Sequence, residues 1–594
     1  MKRLNWILAV AILVLVGRSG LAHAQDASLA LVPSKAPLVI QMNGFEKARN
    51  KLGKFLGNAL PDLAPNLVKQ LEDAIKDAAE GRDLKAVTKD GRVYLAFTSL
   101  SDLTENPRIA VLVPVTSFKE FKDTFLKADE RKNLKKEGDG VESVKVDGKE
   151  TTLYLAERKE YVFVGIDKEA ARNFVKADDG GLDKALSAET RTAFLKQDLS
   201  VYADLKEINR QFGAQIKEFK QVIEMGFEGA GGMIDKKQAE QIKQVFNGMV
   251  QLIDDGVAAV IGIEFRDEGV NLKWMVQFGP GTETNGLLKK LKPVALSELG
   301  SLPSGHLAFS ASNFDPSLSK TLSALLKEST ADDEDADAKK IIENVMKELS
   351  ENGRTLELSA GDLMNGGALE IAHYNDSSKA VAAELRMFKA MTKTASFGGI
   401  ALKSKPEIKE KAETVGVFQF HQLKLAFDFD KAVENLPQEL RETTRTSMQK
   451  MMGDKAATWF GTDGKKVIRI SAKDWTSAKA IVESYLQGKA AIDKDESFQT
   501  TRKNLPNEAT FLMVADTARL VEFILETVRE ATAGMPGAFP GGQLPPIKAP
   551  QAKPAYFGFA LVLKAEYGSI DLYVPTVAVA QVRKMIAPLL DKGN

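Results

Sequence analysis

Short apolar runs alternate along this chain with longer stretches in which apolar residues recur every three or four positions. The first pattern predicts strands and the second amphipathic helices. Residues 37–42 (Pro-Leu-Val-Ile-Gln-Met) predict a strand, with a helix over about 45–60 behind it. The plan of a polar or Pro-marked turn, a strand and a long helix returns at 199–203, 303–311 and 506–515. Leu205, Ile208, Phe212, Ile216, Phe219, Ile223 and Phe227 mark one face of the helix after 199–203. Asp204, Asp315 and Asp516 stand where a side-chain oxygen can cap a helix N-terminus.

A second theme of strand, strand and helix lies between those stretches. Residues 92–97 and 108–115 lead into a helix over 117–128, and residues 354–358 and 368–373 lead into one over 377–391. A hairpin and helix follow in each case, at 151–166 and 458–470. Both series end on a longer hairpin, 257–278 turning at Asp267-Glu268-Gly269 and 556–574 turning at Glu566-Tyr567-Gly568, each with a helix after it. Shared order predicts an internal duplication, the offset being kept within two residues over the strand, strand and helix theme and growing from about 262 to 299, much of it between Met391 and Thr458. The expected fold class is α+β: two similar halves, 25–295 and 296–594, the second with an insertion near 392–457. Short turns such as Asp147-Gly148 predict mostly antiparallel sheets, with helices packed on one face. Two loops at equivalent places, Gly-rich 226–232 and Gly/Pro-rich 534–554, read as solvated connectors.

The N-terminus changes where this fold is expected to work. Lys2 and Arg3 precede an apolar stretch over 4–16, and Ala22-His23-Ala24 offers small side chains before polar Gln25. These are the parts of a secretion signal cleaved after Ala24, placing the mature chain in the periplasm or outside the cell. No later stretch reaches the roughly 20 apolar residues of a spanning helix, so no integral membrane segment is expected after cleavage. Charge is balanced, with 81 Lys+Arg against 81 Asp+Glu. Such a chain has no long-range field to attract nucleic acid. With no cysteine, disulfides and thiolate sites are excluded. Burial of apolar side chains, 44% of the residues, must hold the fold instead.

Candidate chemistry is sparse. His306, His373 and His421 lie on three separate strand-like segments without metal-ligand spacing, so they read as ordinary strand residues. The mature chain has no Gly-x-Ser-x-Gly elbow, and Gly229-Ala230-Gly231-Gly232 follows a helix, the wrong context for a dinucleotide loop. Asp332-Asp333-Glu334-Asp335 with Asp337 reads as an acidic first helical turn, and Arg131-Lys132 with Lys135-Lys136 as a solvated basic face. Trp274, Trp459, Trp475, Tyr94, Tyr154 and Tyr161 read as core. Neither a cofactor nor a metal is expected, and no catalytic residue is assigned. Paired carboxylates assembled in space would leave no motif.

The segment 31–42 (Leu-Val-Pro-Ser-Lys-Ala-Pro-Leu-Val-Ile-Gln-Met), with Leu302-Pro303 and Leu505-Pro506, resembles the repeat starts of large uncharacterised secreted proteins of planctomycete-like bacteria. That resemblance implies no known active site. The leading expectation is an exported, non-enzymatic protein that binds an envelope partner or organises the envelope. The alternatives are an extracytoplasmic hydrolase with spatially assembled carboxylates, and a carrier of apolar ligands between sheet and helices.

Overall fold

The computed structural model describes residues 27–79, 82–100, 108–146, 151–176, 180–229, 251–313, 336–362, 367–392, 396–397, 400–434, 436, 438–452, 455–532 and 546–590. The expected export segment 1–24, the expected turn at Asp147-Gly148, Asp315, the acidic run 332–335, residues 230–232 and most of 534–554 lie outside them. The fold is α+β, with antiparallel sheets and packed helices. Two compact units form. Unit 1 takes described residues 27–229, 251–285 and 566–570, and unit 2 takes 286–565 and 571–590.

Ten strands lie wholly within unit 1: β1 (Leu38–Asn43), β2 (Arg92–Ser99), β3 (Arg108–Pro114), β4 (Lys135–Gly138), β5 (Val141–Lys145), β6 (Thr152–Arg158), β7 (Tyr161–Gly165), β8 (Leu199–Asp204), β9 (Gly256–Arg266) and β10 (Gly269–Phe278). They pair antiparallel in the order β10-β9-β8-β1-β2-β3-β7-β6-β5-β4. Edge strand β4 is short and reads Lys-Lys-Glu-Gly, a composition that discourages pairing with another chain.

Helices cover both faces of this sheet, not one. Val93, Leu95 and Phe97 of β2 share a core with Phe121 and Phe125 of helix Phe118–Phe125, while Tyr94 and Ala96 share another with Phe174 and Phe194 of helices Lys168–Lys176 and Ala188–Lys196. The continuous apolar run Val93-Tyr94-Leu95-Ala96-Phe97 follows from this, since alternation is needed only where one face meets water. Helix Leu205–Gly229 joins the first core through Ile208 and Phe212. Its cap is Asp204, whose Oδ1 accepts from the Glu207 amide at 3.0 Å. Replacing Asp204 by Ala should cost about 1 kcal/mol, read as faster amide exchange over the first turn of that helix.

Unit 2 uses β11 (Ala308–Ser312), β12 (Arg354–Asp362), β13 (Gly367–Tyr374), the two-residue ribbon of β14 (Ser396–Phe397) and β15 (Ile400–Ala401), β16 (Glu407–Val415), β17 (Phe418–Ala426), β18 (Lys455–Thr462), β19 (Val467–Ala472), β20 (Phe511–Asp516) and β21 (Tyr556–Leu563). Nine of these pair antiparallel in the order β21-β20-β11-β12-β13-β19-β18-β17-β16. Taken strand by strand, this is the order β9-β8-β1-β2-β3-β7-β6-β5-β4 of unit 1. Within the stretch 392–457, β16 and β17 thus match β4 and β5. The ribbon and helices Phe429–Ala432 and Gln438–Met452 have no counterpart among the described residues of unit 1. Edge strand β16 carries Glu407, Lys409, Glu410, Lys411 and Glu413, again a charged edge.

Candidate functional site

Directly opposed residues of antiparallel strands point to the same face, so the pairings fix what each sheet presents. In unit 1, Ile40 opposes both Leu95 and Val201, Val201 opposes Ile261, and Ile261 opposes Trp274. Around this row stand Leu199 and Ala203 on β8, Ala259, Ile263 and Phe265 on β9, and Val270, Leu272 and Val276 on β10. Phe121 and Phe125 cover the face over β2 and β3. Toward β9 and β10 the cover thins, leaving Ile261 48% and Trp274 37% exposed. Helix Phe45–Ala59 crosses the turn end of the same hairpin. Phe55 packs on Phe265 at 5.9 Å, the Lys51 ammonium donates to buried Asp198 at 2.8 Å, and the Asn58 amide donates to the Asp267 carbonyl at 3.0 Å. An isolated exposed apolar residue is ordinary, whereas an uninterrupted apolar sheet face that opens to solvent marks a contact surface.

Unit 2 presents different chemistry on the matching face. Leu199 and Phe511 stand at the same distance before the cap residues Asp204 and Asp516, which aligns the two registers. Met42 and Val93 then match Ser312 and Glu357, Ile40 and Leu95 match Ser310 and Ser359, Val111 matches Glu370, and Val164 matches Arg469. The covering helices align too, because Ser117 and Asp376 are both N-caps. Fully buried Phe125 consequently matches buried Glu384 of helix Ser377–Met391. An aliphatic and aromatic layer in unit 1 is a layer of one arginine and three glutamates in unit 2.

Arg469 organises this layer. Its guanidinium pairs with Glu370 across the sheet and with Glu384 on the helix, and Nε donates to Glu384 Oε2 at 3.1 Å. Nη2 also donates to the Tyr374 hydroxyl at 3.2 Å. Burial works against the charged guanidinium, but Glu370 and Glu384 outweigh it and hold Arg469 well above the ordinary arginine range. Glu357, paired with Arg354, is shifted upward. Burial is the main cause and the charge of Glu370 adds to it, while Arg354 and Arg469 oppose without cancelling. An acid whose folded value is raised stabilises the fold below its unfolded value and loses that contribution as pH rises through the folded one. Wild-type unit 2 should therefore lose stability from pH 5 to 8 through Glu357. Glu357→Gln should flatten that slope in urea titrations read at the two pH values.

The remaining sequence candidates disperse. His306 meets the edge of Phe309 at 6.1 Å, and His373 Nε2 stands 3.5 Å from Glu298. His421 stacks on Phe460 at 5.3 Å, and burial holds its imidazole below the ordinary value. Among the described residues no group of three His, Asp or Glu could hold a metal. Buried Trp459 packs at 5.6 Å on Trp475, which is half-buried and so departs from the core reading, while Tyr94 and Tyr161 are buried, Tyr161 with its phenol pushed up to about 12 by burial. Tyr154 packs against the second core of unit 1. Trp274 departs from the core assignment. Lys135 and Lys136 are exposed on β4, and Lys132 pairs with Asp129 at 3.3 Å. The charged layer escaped sequence reasoning because its members come from four separate elements. The sign of it was polar Glu357, Glu370 and Arg469 in strands whose unit 1 matches read as pure apolar runs.

No known protein family matches this chain. No curated protein does either. Among solved structures it is similar to three crystal forms of TP0453. Form I is 10% identical with a TM-score of 0.20, over 44% of this chain and 82% of that one. Form IV is 12% identical with a TM-score of 0.18, over 42% and 79%, and form III 11% with 0.18, over 44% and 83%. No helix among the described residues is long and apolar enough to cross a membrane.

Proposed function

We propose that this chain is an exported, non-enzymatic binding protein whose first unit takes a long-chain acyl ligand on the open face of β8, β9 and β10. The opposed pair Ile261 and Trp274, exposed on an apolar sheet face whose other side chains over β8, β9 and β10 are half-buried, carries this reading. Every side chain on that face, from Leu199 to Val276, is apolar. A peptide partner would bring N–H and C=O groups needing partners that such a face lacks, whereas an alkyl chain brings none. From Ala259 to Phe265 the face runs about 20 Å along the strand, the length of an extended long acyl tail. Helix Phe45–Ala59, clamped across the turn end, supplies a wall. The matching strand orders support descent of both units from one ancestral unit, with the second having replaced its apolar layer by charge.

The neighbouring carboxylates Glu357 and Glu370 do not favour a hydrolase, since both are engaged by arginines within the packing of unit 2. The test is native mass spectrometry of the purified mature chain together with titration by a fluorescent long-chain fatty acid, cis-parinaric acid. The proposal expects a saturable rise in probe emission, reversed by oleate. A flat titration would overturn it.

A further inference from the structure

The apolar face of β8, β9 and β10 has two unlike ends. At the turn end Phe55 of helix Phe45–Ala59 packs on Phe265, the last residue that β9 gives to that face. Lys51, one turn before Phe55, donates to Asp198, whose Oδ2 also accepts from the Phe265 amide at 2.9 Å. Asn58, one turn after Phe55, donates to the Asp267 carbonyl. A polar contact on either side thus fixes the ring at the end of the face. At the other end the chain leaves β8 toward exposed Lys206 and enters β9 after exposed Asp254. Resting on the acyl-binding reading above, we infer that Phe55 is a tail stop. The ligand lies with its methyl end against this ring and its head group toward Lys206 and Asp254, so the site measures an acyl chain from its methyl end.

Solvation sets this direction. A charged head group driven beneath helix Phe45–Ala59 would shed its water against the rings of Phe55 and Phe265. The polar groups around those rings are already engaged, Lys51 by Asp198, Asn58 by a carbonyl and Lys54 by Asp267 at 3.6 Å. A methyl end gives up no hydrogen bond there, and each methylene that leaves water for the face tightens binding about fourfold. Trp274 then supplies a scale. It opposes Ile261, which stands four residues before Phe265 on β9. Four residues of strand span about 13 Å, a distance that about ten carbons of an extended alkyl chain cover. Counted from the methyl end, the same carbons therefore lie on the Trp274 indole whatever the total length of the acid.

The test follows tryptophan emission of the chain from Gln25 onward, titrated with saturated fatty acids of two lengths, each brominated at successive positions. Quenching should peak for bromine about ten carbons from the methyl end in both series. Phe55→Ala removes the ring, and the peak should then move about three carbons farther from the methyl end as the tail advances into the space. Should that variant fail to fold, the two series on the wild-type chain decide alone. A peak at a fixed distance from the carboxyl group overturns the tail stop and leaves the acyl site standing. So does a peak that stays in place in folded Phe55→Ala. Absence of quenching in every series removes both.

Discussion

Replacing Arg469 by methionine destabilises unit 2 by about 3–5 kcal/mol, the usual cost of removing one partner from a buried ion pair. The guanidinium bridges β13 and helix Ser377–Met391, and its loss leaves Glu384, 3% exposed, facing Glu370 with no cation between them. The cost belongs to the broken pair and not to the charge layer as such, because such layers often convert to apolar packing at no loss. Changing Glu357, Glu370, Glu384 and Arg469 together to Val, Val, Phe and Val should recover most of the stability. Unit 1 already folds with that set. Guanidinium titrations followed by near-ultraviolet dichroism would read both variants, Trp459 and Trp475 reporting on unit 2. If Arg469→Met alone changes stability by less than 1 kcal/mol, the layer is not the bridge described.

The second large effect lies in unit 1. Ile261→Lys together with Trp274→Lys should remove long-chain binding altogether while leaving stability within about 0.5 kcal/mol, as for exposed positions in general. Both side chains are more than a third exposed, so lysine can send its ammonium into water while its stem lies on the sheet. A bound alkyl chain has no such escape, since it would have to desolvate two charges to reach the same strands. The contrasting variant, Val260→Lys on the opposite buried face of β9, should unfold the hairpin instead. Titration with cis-parinaric acid beside thermal unfolding separates the two outcomes. Retained binding in the double lysine variant would remove the face from the account.

Much of this was legible in the residues. Apolar runs along 256–263 and 556–563 and in β2 and β7, with caps at Asp204 and Asp516, give the antiparallel α+β plan. The aligned positions of Asp204 and Asp516 were enough to set one register against the other. Two things were not legible, for physical reasons. Whether a sheet face is covered depends on where helices lie in space, so Trp274 read as core although its neighbourhood is open. Glu370 and Arg469 lie far apart in sequence and meet only because β13 pairs with β19. The helix over 117–128 likewise breaks after Phe125, where Arg82 enters to pair with buried Glu130 at 2.7 Å and donate to the Phe125 carbonyl at 3.1 Å.

The claim that carries most weight is that an acyl chain lies on the open face of β9 and β10, against Trp274. Adding a long-chain fatty acid brominated along its tail, while following tryptophan emission, tests it most directly, because bromine quenches only an indole that it touches. The account predicts saturable quenching in the wild-type chain from Gln25 onward and none in Trp274→Phe, where buried Trp459 and half-buried Trp475 of unit 2 remain. No quenching in the wild type, or equal quenching in Trp274→Phe, would contradict it.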